Sequence, residues 1–337
     1  MKKKVLAGLM SLVMATAVLA GCGTSKTSDK GSDEKGMTNV SIQIDGSAVP
    51  YYAPLYMAKE KGYFEEEGLN VEFYYAAAAD IVKNVAAGNV EFGFPNADAV
   101  VTAKSQGIPV KVVHTTYQAG LGSIIFGSDS GIKTPADLKG KKVAVTSLGS
   151  ANYFQLQAAL KSEGLSINDV QVEIVGTGAI LNALTEKQVD AIVFSKLRTI
   201  ELNNSGYAAS EIECDKFFPS FGNVLVSSDK LINEKPEVVK GFSKALTKGI
   251  EYVMDGHVEE AVDFSIKEYA PTFAEKRDVV VQILNKVFIE TLWQSDYTKT
   301  NGIGASNAEK WQKLIDNSVN YGTIEKGLKA EELLYTK

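Results

Sequence analysis

Pro50-Tyr51-Tyr52-Ala53-Pro54-Leu55-Tyr56-Met57-Ala58-Lys59-Glu60-Lys61-Gly62-Tyr63-Phe64-Glu65-Glu66-Glu67-Gly68-Leu69 lies between two stretches that read as strands, residues 40–44 and 70–74. The first alternates as Val40-Ser41-Ile42-Gln43-Ile44, so one of its faces can be buried. Pro54 suits the first turn of a helix, where its missing N–H costs little. Leu55, Met57 and Ala58 supply a short apolar face. Gly62 follows Lys59-Glu60-Lys61 as glycine follows a helix C-terminus, and Gly68 marks a turn before the next strand. The stretch is a βαβ unit whose 47–52 loop leaves the carboxyl end of the first strand. In open α/β sheets that is where ligands bind.

Outward from this unit the rhythm repeats. Residues 80–88 read as a helix, 90–94 as a strand, 96–107 as a helix with Asn96 as N-cap, and 109–116 as an apolar strand. After Tyr117-Gln118-Ala119-Gly120-Leu121-Gly122 come strands at 123–126 and 142–146, with a one-turn helix at 134–138 between them. A helix over 151–163 follows, then β, α, β, α at 172–175, 179–187, 191–194 and 197–203. Residues 224–228 read as a strand returning to the first lobe. Beyond Lys230 the chain is helical at 236–254, 258–269, 275–289 and 307–318, with Phe242 and Trp311 read as core. Alternating strands and helices predict mainly parallel sheets. The spacing predicts lobe 1 over 39–121 plus 222–337 and lobe 2 over 122–221. Two crossings, near 117–122 and 219–224, would form a hinge whose glycines absorb the backbone change of closure.

The segment Tyr52-Ala53-Pro54-Leu55-Tyr56-Met57-Ala58, with Lys61-Gly62-Tyr63-Phe64-Glu65-Glu66-Glu67-Gly68-Leu69, resembles the opening of periplasmic-type substrate-binding proteins of ABC importers. The subgroup includes nitrate, sulfonate, taurine, thiamine-pyrimidine-precursor and riboflavin binders. The resemblance spans about residues 40–228 and is loose in the helical tail. It implies an α/β, two-lobed, type II binding-protein clamp with a hinged cleft. It also implies a small-molecule ligand, an ABC permease as partner, no catalysis and no cofactor. A monomer is expected.

The composition fits that implication. Of 337 residues, 45% are hydrophobic and 23% charged, enough to bury a sizeable core. The formal charge of −6 becomes −9 without Lys2, Lys3 and Lys4. An acidic chain without a basic stripe argues against nucleic acid. Those lysines precede an apolar run over 5–20 that is short for a membrane span, so residues 1–21 read as a signal peptide. Leu19-Ala20-Gly21-Cys22 resembles a bacterial lipobox, which implies cleavage before Cys22 and its lipidation. The protein is then expected at the outer face of the bacterial cytoplasmic membrane, on a lipid anchor. Residues 22–38 read as a flexible tether. Cys214 is the other cysteine, so no disulfide framework exists, and with only His114 and His257 a zinc site is not expected.

A cleft over the carboxyl ends of both sheets would be lined by the loops that leave them. Those loops hold Tyr51, Tyr52, Tyr74, Tyr75, Tyr117, Tyr153, Phe194, Phe218 and Phe221, and one basic residue, Lys196, against Asp45, Asp80 and Asp98. Ligand contacts are expected from Asp45, Tyr51, Tyr52, Tyr75, Asn96, Asp98, Tyr117, Ser147, Ser150, Asn152, Tyr153, Thr177, Phe194 and Phe221. Bland alternatives stand beside them: rim packing for the tyrosines, helix capping for Asp45, Asp98, Ser147 and Ser150. Trp293 is placed over the cleft. An inorganic anion needs opposing positive charge or a bare helix N-terminus. Aromatic faces instead stack on flat rings, and carboxylates accept from ring N–H or amino groups. The expected ligand is a flat, neutral or weakly cationic heterocycle, which the resemblance narrows to a thiamine pyrimidine precursor or a flavin.

The alternative within the resemblance is a sulfonate, taurine or nitrate binder. The alternative of another class is an enzyme resembling a fungal pyrimidine synthase, which uses a lysine-bound pyridoxal phosphate, a histidine and a cysteine-rich motif; cysteines are nearly absent here, and neither His114 nor His257 lies in an expected strand-end loop. Cys22→Ser should abolish lipidation and leave the protein released or uncleaved. Membrane fractionation and intact mass test this: wild-type partitioning with the same lipid mass would refute the lipobox.

Overall fold

A computed structural model describes residues 36–335. The expected leader, Cys22 and most of the tether fall outside the described residues. Strand β1 (Thr38–Asp45) leads through a 3-10 turn, Pro50–Tyr52, into helices α1 (Ala53–Glu60) and α2 (Tyr63–Glu66), then β2 (Leu69–Ala76). Gly62, at φ 73°, takes the left-handed conformation that lets the chain turn between the helices. Helix α3 (Ala78–Ala87), β3 (Phe92–Phe94), α4 (Ala97–Ser105) and β4 (Val110–His114) follow. The second lobe runs β5 (Gly122–Gly127), β6 (Lys142–Val145), α5 (Ala151–Ser162), β7 (Gln171–Ile174), α6 (Ile180–Thr185), β8 (Ala191–Ser195), α7 (Leu197–Asn204) and β9 (Ala209–Glu213). The chain returns as β10 (Leu225–Ser228), α8 (Asp229–Glu234), α9 (Pro236–Met254), α10 (Val258–Glu268), α11 (Arg277–Ile283), a π-helical run (Leu284–Leu292), α12 (Asp296–Asn301), α13 (Ala308–Asn320) and α14 (Ala330–Leu333). Strand β9 and helices α8, α12 and α14 were not expected, and the helix expected over 275–289 is divided at Leu284, where the π-helical run begins. Among the described residues no helix is long and apolar enough to cross a membrane.

Residues 53–58 of α1 are all buried, because α9 lies across them. The buried face of α9 carries Val238, Val239, Phe242, Ala245, Leu246, Ile250 and Val253 at three- and four-residue spacing. The crossing is tightest at Gly249, where a Cβ would stand 2.2 Å from the Pro54 carbonyl oxygen.

The two sheets have orders β2-β1-β3-β10-β4 and β7-β6-β8-β5-β9, both within one compact unit. The pairings β1–β2, β1–β3, β6–β7 and β6–β8 are parallel, and β10 and β5 are antiparallel to both of their neighbours. Four strands of each sheet therefore run in one direction, as expected, and one, β10 or β5, runs against them, so both sheets are mixed. The reason lies in the connections: β5 and β10 are each entered straight from the other sheet, with no crossover helix to bring the strand back in the parallel sense.

Residues 115–121 and 214–224 make the two crossings, and they are bonded to each other. The amide of Tyr117 donates to the Asn223 carbonyl at 3.0 Å. Asp215 Oδ1 accepts from the amides of Gly120 (3.0 Å) and Ser220 (2.8 Å), and Oδ2 accepts from Lys310 Nζ of α13 (2.8 Å). The same ammonium donates to the Gln118 carbonyl at 2.9 Å. Gly120 and Gly222 are needed here for close approach: a Cβ would lie 2.1 Å from Ser220 Oγ at the first and 2.7 Å from the Tyr117 ring at the second. Elsewhere α7 docks on the first lobe, where Lys196 Nζ donates to Thr291 Oγ1 (3.1 Å) and Asn204 Nδ2 to Gln282 Oε1 (3.2 Å).

Asp215→Ala strands two backbone amides and an ammonium that are part-buried. It should cost about 2–4 kcal/mol of stability, read as a lower urea midpoint at unchanged slope. A change under about 0.5 kcal/mol would mean that the crossings are held by other contacts.

Candidate functional site

The carboxyl ends of β1 and β3 bring three expected residues together. Asp45 closes β1, and its half-buried carboxylate accepts from the Asn96 side chain and from the amides of Ala78 and Gly46. Burial pushes this carboxyl up, and those hydrogen bonds partly offset the shift. Asn96 caps α4, its Oδ1 accepting from the Ala99 amide at 3.0 Å, so it serves as cap and as partner of Asp45. The Tyr52 hydroxyl donates to the Asp45 carbonyl at 2.7 Å and lies within reach of the Asn223 side chain. Asn223 itself donates to the Phe94 carbonyl at 3.0 Å, which ties the second crossing to β3.

Aromatic rings pave the ground around this polar group. Tyr52 and Tyr117 meet Phe94 edge-on, with ring centroids 6.0 and 5.7 Å apart. Tyr51 stacks on Phe288 of the π-helical run at 5.5 Å and feels the charges of Glu201 and Arg198 on α7. The half-exposed Tyr75 shares a 2.8 Å hydroxyl contact with Tyr56. Burial holds the phenols of Tyr51 and Tyr52 well above their ordinary range, so both are neutral.

On the second lobe, Ser150 caps α5: its Oγ accepts from the Tyr153 amide at 3.3 Å and donates to the Ser147 carbonyl at 2.8 Å. Ser147 and Thr177 are exposed, and Asn152, Tyr153 and Phe194 are partly so. The Arg198 guanidinium lies 5.8 Å from the Phe194 ring centre.

Two expected ligand contacts are core residues instead. Tyr117 is 3% exposed, wedged between Phe94 and Phe288, and Phe221 is 2% exposed, stacked on Trp311 at 4.6 Å. Both sit where the crossings pass through the hydrophobic interior. Trp293 also lies beneath the site and not over the cleft: it is fully buried against Phe288. Lys196 is buried and spoken for by Glu213 Oε2 (3.2 Å) and Thr291, so it offers no free cation. Phe288 and Asn223 were missed. Phe288 carries no sequence signal, since it falls in the helix expected over 275–289 and not in a strand-end loop, and Asn223 lies inside an expected cleft loop without being singled out.

Asp98, in the first turn of α4, does not join the Asp45 group by any hydrogen bond among the described residues. It lines a separate cavity between the lobes, together with Gly149 of the loop entering α5 and Ala151, the first residue of that helix. Burial pushes its carboxyl up to about 6. Among the described residues no group of three or more His, Cys, Asp or Glu side chains could hold a metal ion.

Residues 49–261 match the family described as NMT1/THI5 like. A riboflavin-binding protein of Chloroflexus aurantiacus is 26% identical over 324 residues, covering 93% of this chain and 91% of the relative. A formylaminopyrimidine-binding protein of Halalkalibacterium halodurans is 24% identical over 330 residues, covering 96% of each. A 4-amino-5-hydroxymethyl-2-methylpyrimidine phosphate synthase of Aspergillus parasiticus is 27% identical over 232 residues, 64% of this chain and 66% of the relative. Among solved structures, the periplasmic aliphatic sulphonate-binding protein of Escherichia coli has the same fold, with TM-score 0.72 and 16% identity over 88% of this chain and 92% of that one.

The raised Asp98 gives a pH test. Its folded value, about 6, lies above the ordinary 3.8, so the folded state binds that proton more tightly than the unfolded chain does. The ionised form therefore costs stability above pH ~6, and the cost is relieved as pH falls toward ~4. No other charged side chain lines this cavity. Asp98→Asn should raise stability by on the order of 2 kcal/mol at pH ~7.5 and by little at pH ~4. Equal gains in thermal melts at both pH values would contradict the assignment.

Proposed function

The chain belongs to the NMT1/THI5-like family, and from that premise we propose that it captures a small flat heterocycle as the solute-binding component of an ABC importer. The solute-binding role accords with the relatives named for binding riboflavin and formylaminopyrimidine. The observation that carries the ligand class is the Asp45–Asn96–Tyr52 group set among aromatic rings. A flat ring stacks on Tyr51 or Tyr52, and the Asp45 carboxylate accepts from its N–H or amino edge.

Charge argues against the anion reading. The one basic residue of the expected cleft loops, Lys196, is paired with Glu213, and the Ser150 hydroxyl is used in capping α5. A sulfonate or nitrate would meet half-buried Asp45 with little to offset the repulsion. Chemistry argues against the enzyme reading. The Cys214 thiol is buried and pushed far up by burial, which leaves it a poor nucleophile. The ring of His257 is stacked on Tyr252 and bonded to the Tyr252 carbonyl. The Cys22 lipid anchor and the extracytoplasmic membrane face belong to this same proposal and rest on residues 1–22.

A thermal-shift panel of riboflavin, formylaminopyrimidine, taurine and nitrate identifies the class, since a ligand bound only by the native state raises apparent stability. Calorimetry then tests the site. Tyr51→Ala and Tyr52→Ala should each weaken heterocycle binding by about 1–3 kcal/mol, roughly five- to more than a hundred-fold, with little change across moderate salt. Tight binding of taurine or nitrate, or heterocycle binding by both folded variants at wild-type strength, would overturn the ligand assignment.

A further inference from the structure

The cavity at Asp98 encloses about 350 Å3, at the lower end of the range for small-molecule sites. Its walls come from both lobes: α4 supplies Asp98 and Thr102, α5 supplies Phe154, the second crossing supplies Phe218, and the end of α13 with its following turn supplies Ser318 and Thr323. Asp98 is the one charged side chain in this lining. Among the described residues its carboxyl has no hydrogen-bond or ion-pair partner, and burial is the sole cause that raises it.

The hydroxyls sharpen the chemistry. Ser318 Oγ donates its proton to the Leu314 carbonyl at 2.8 Å, and Thr323 Oγ1 donates to the Ser318 carbonyl at 2.8 Å. Each hydroxyl has one proton, so both have only lone pairs left. The cavity thus offers a carboxylate, the lone pairs of two hydroxyls and the side chains of Phe154 and Phe218, with the Thr102 hydroxyl able to donate or accept. One feature pulls the other way: the start of α5 at Ala151 brings helix N–H groups to the rim. A helix start favours an anion by a few-fold at an exposed site and by up to roughly thirty-fold in a partly buried one. Placing an anion beside an unpaired carboxylate in a part-buried site costs far more than that.

We propose that this cavity is a binding site for the ammonium group of a small organic amine, held by the Asp98 carboxylate with Ser318 and Thr323 as further acceptors and the Phe154 and Phe218 rings as walls. The site is separate from the Asp45–Tyr52 group and does not depend on the heterocycle assigned there. Because both lobes line it, an occupant bridges them.

Benzylamine, benzyl alcohol and benzoate, three probes of one shape and different charge, test it by ligand-observed NMR at neutral pH. Wild-type protein should bind benzylamine at least about ten-fold more tightly than benzyl alcohol, equivalent to ~1.4 kcal/mol, and should not bind benzoate measurably. Asp98→Asn should remove that preference, and Ser318→Ala should weaken benzylamine a few-fold while leaving the order of the probes unchanged. Asp98→Asn deletes an unpaired charge, so its melt at neutral pH serves as the folding control. A benzoate affinity equal to or above that of benzylamine would make the α5 start the governing feature and refute the proposal. So would undiminished benzylamine binding by folded Asp98→Asn, or no benzylamine binding by wild type at millimolar concentration.

Discussion

The Asp215 carboxylate accepts from both crossings at once, through the amides of Gly120 and Ser220, and from Lys310 of α13. Every other arrangement in the molecule is built around the place where the chain passes twice between its sheets. A strand entered without a crossover helix runs against its neighbours, so β5 and β10 are the antiparallel members of their sheets. The two passes lie so close that Gly120 and Gly222 leave no room for a Cβ. Polar backbone drawn into such a junction needs partners, and one anion with several acceptor sites supplies them more compactly than separate side chains would. Lys310 then balances its charge and extends the tie to α13, whose Trp311 stacks on Phe221 of the second crossing.

From that junction the site follows. The Tyr117 amide is bonded to the Asn223 carbonyl, while the Asn223 side chain reaches Phe94 and the Tyr52 hydroxyl. The crossings and the ends of β1 and β3 are therefore joined by hydrogen bonds in one network. The two acids near the cleft are treated differently. Asp45 is surrounded by donors that lower the cost of its charge, whereas Asp98 has none. The cation expected nearby, Lys196, is instead used to pin α7 to the π-helical run through Thr291.

The Pro50–Leu69 stretch and the alternating rhythm after it determined the α/β class, the βαβ opening and the placing of loops at strand ends, because these depend on local periodicity, proline and glycine. Helix α9 was legible to its boundaries, since its apolar face recurs every three or four residues over 19 positions. Asp45, Tyr52 and Asn96 could be named from the sequence because strand ends and helix caps have local signatures. Strand direction, the close pairing of the crossings, the burial of Tyr117, Phe221 and Trp293, and the capture of Lys196 by Glu213 and Thr291 were decided by the tertiary structure. Each depends on which residues distant in the chain meet, and a tyrosine at a strand end has the same local pattern whether it faces a ligand or a phenylalanine contributed from 171 residues further along, as Phe288 is to Tyr117.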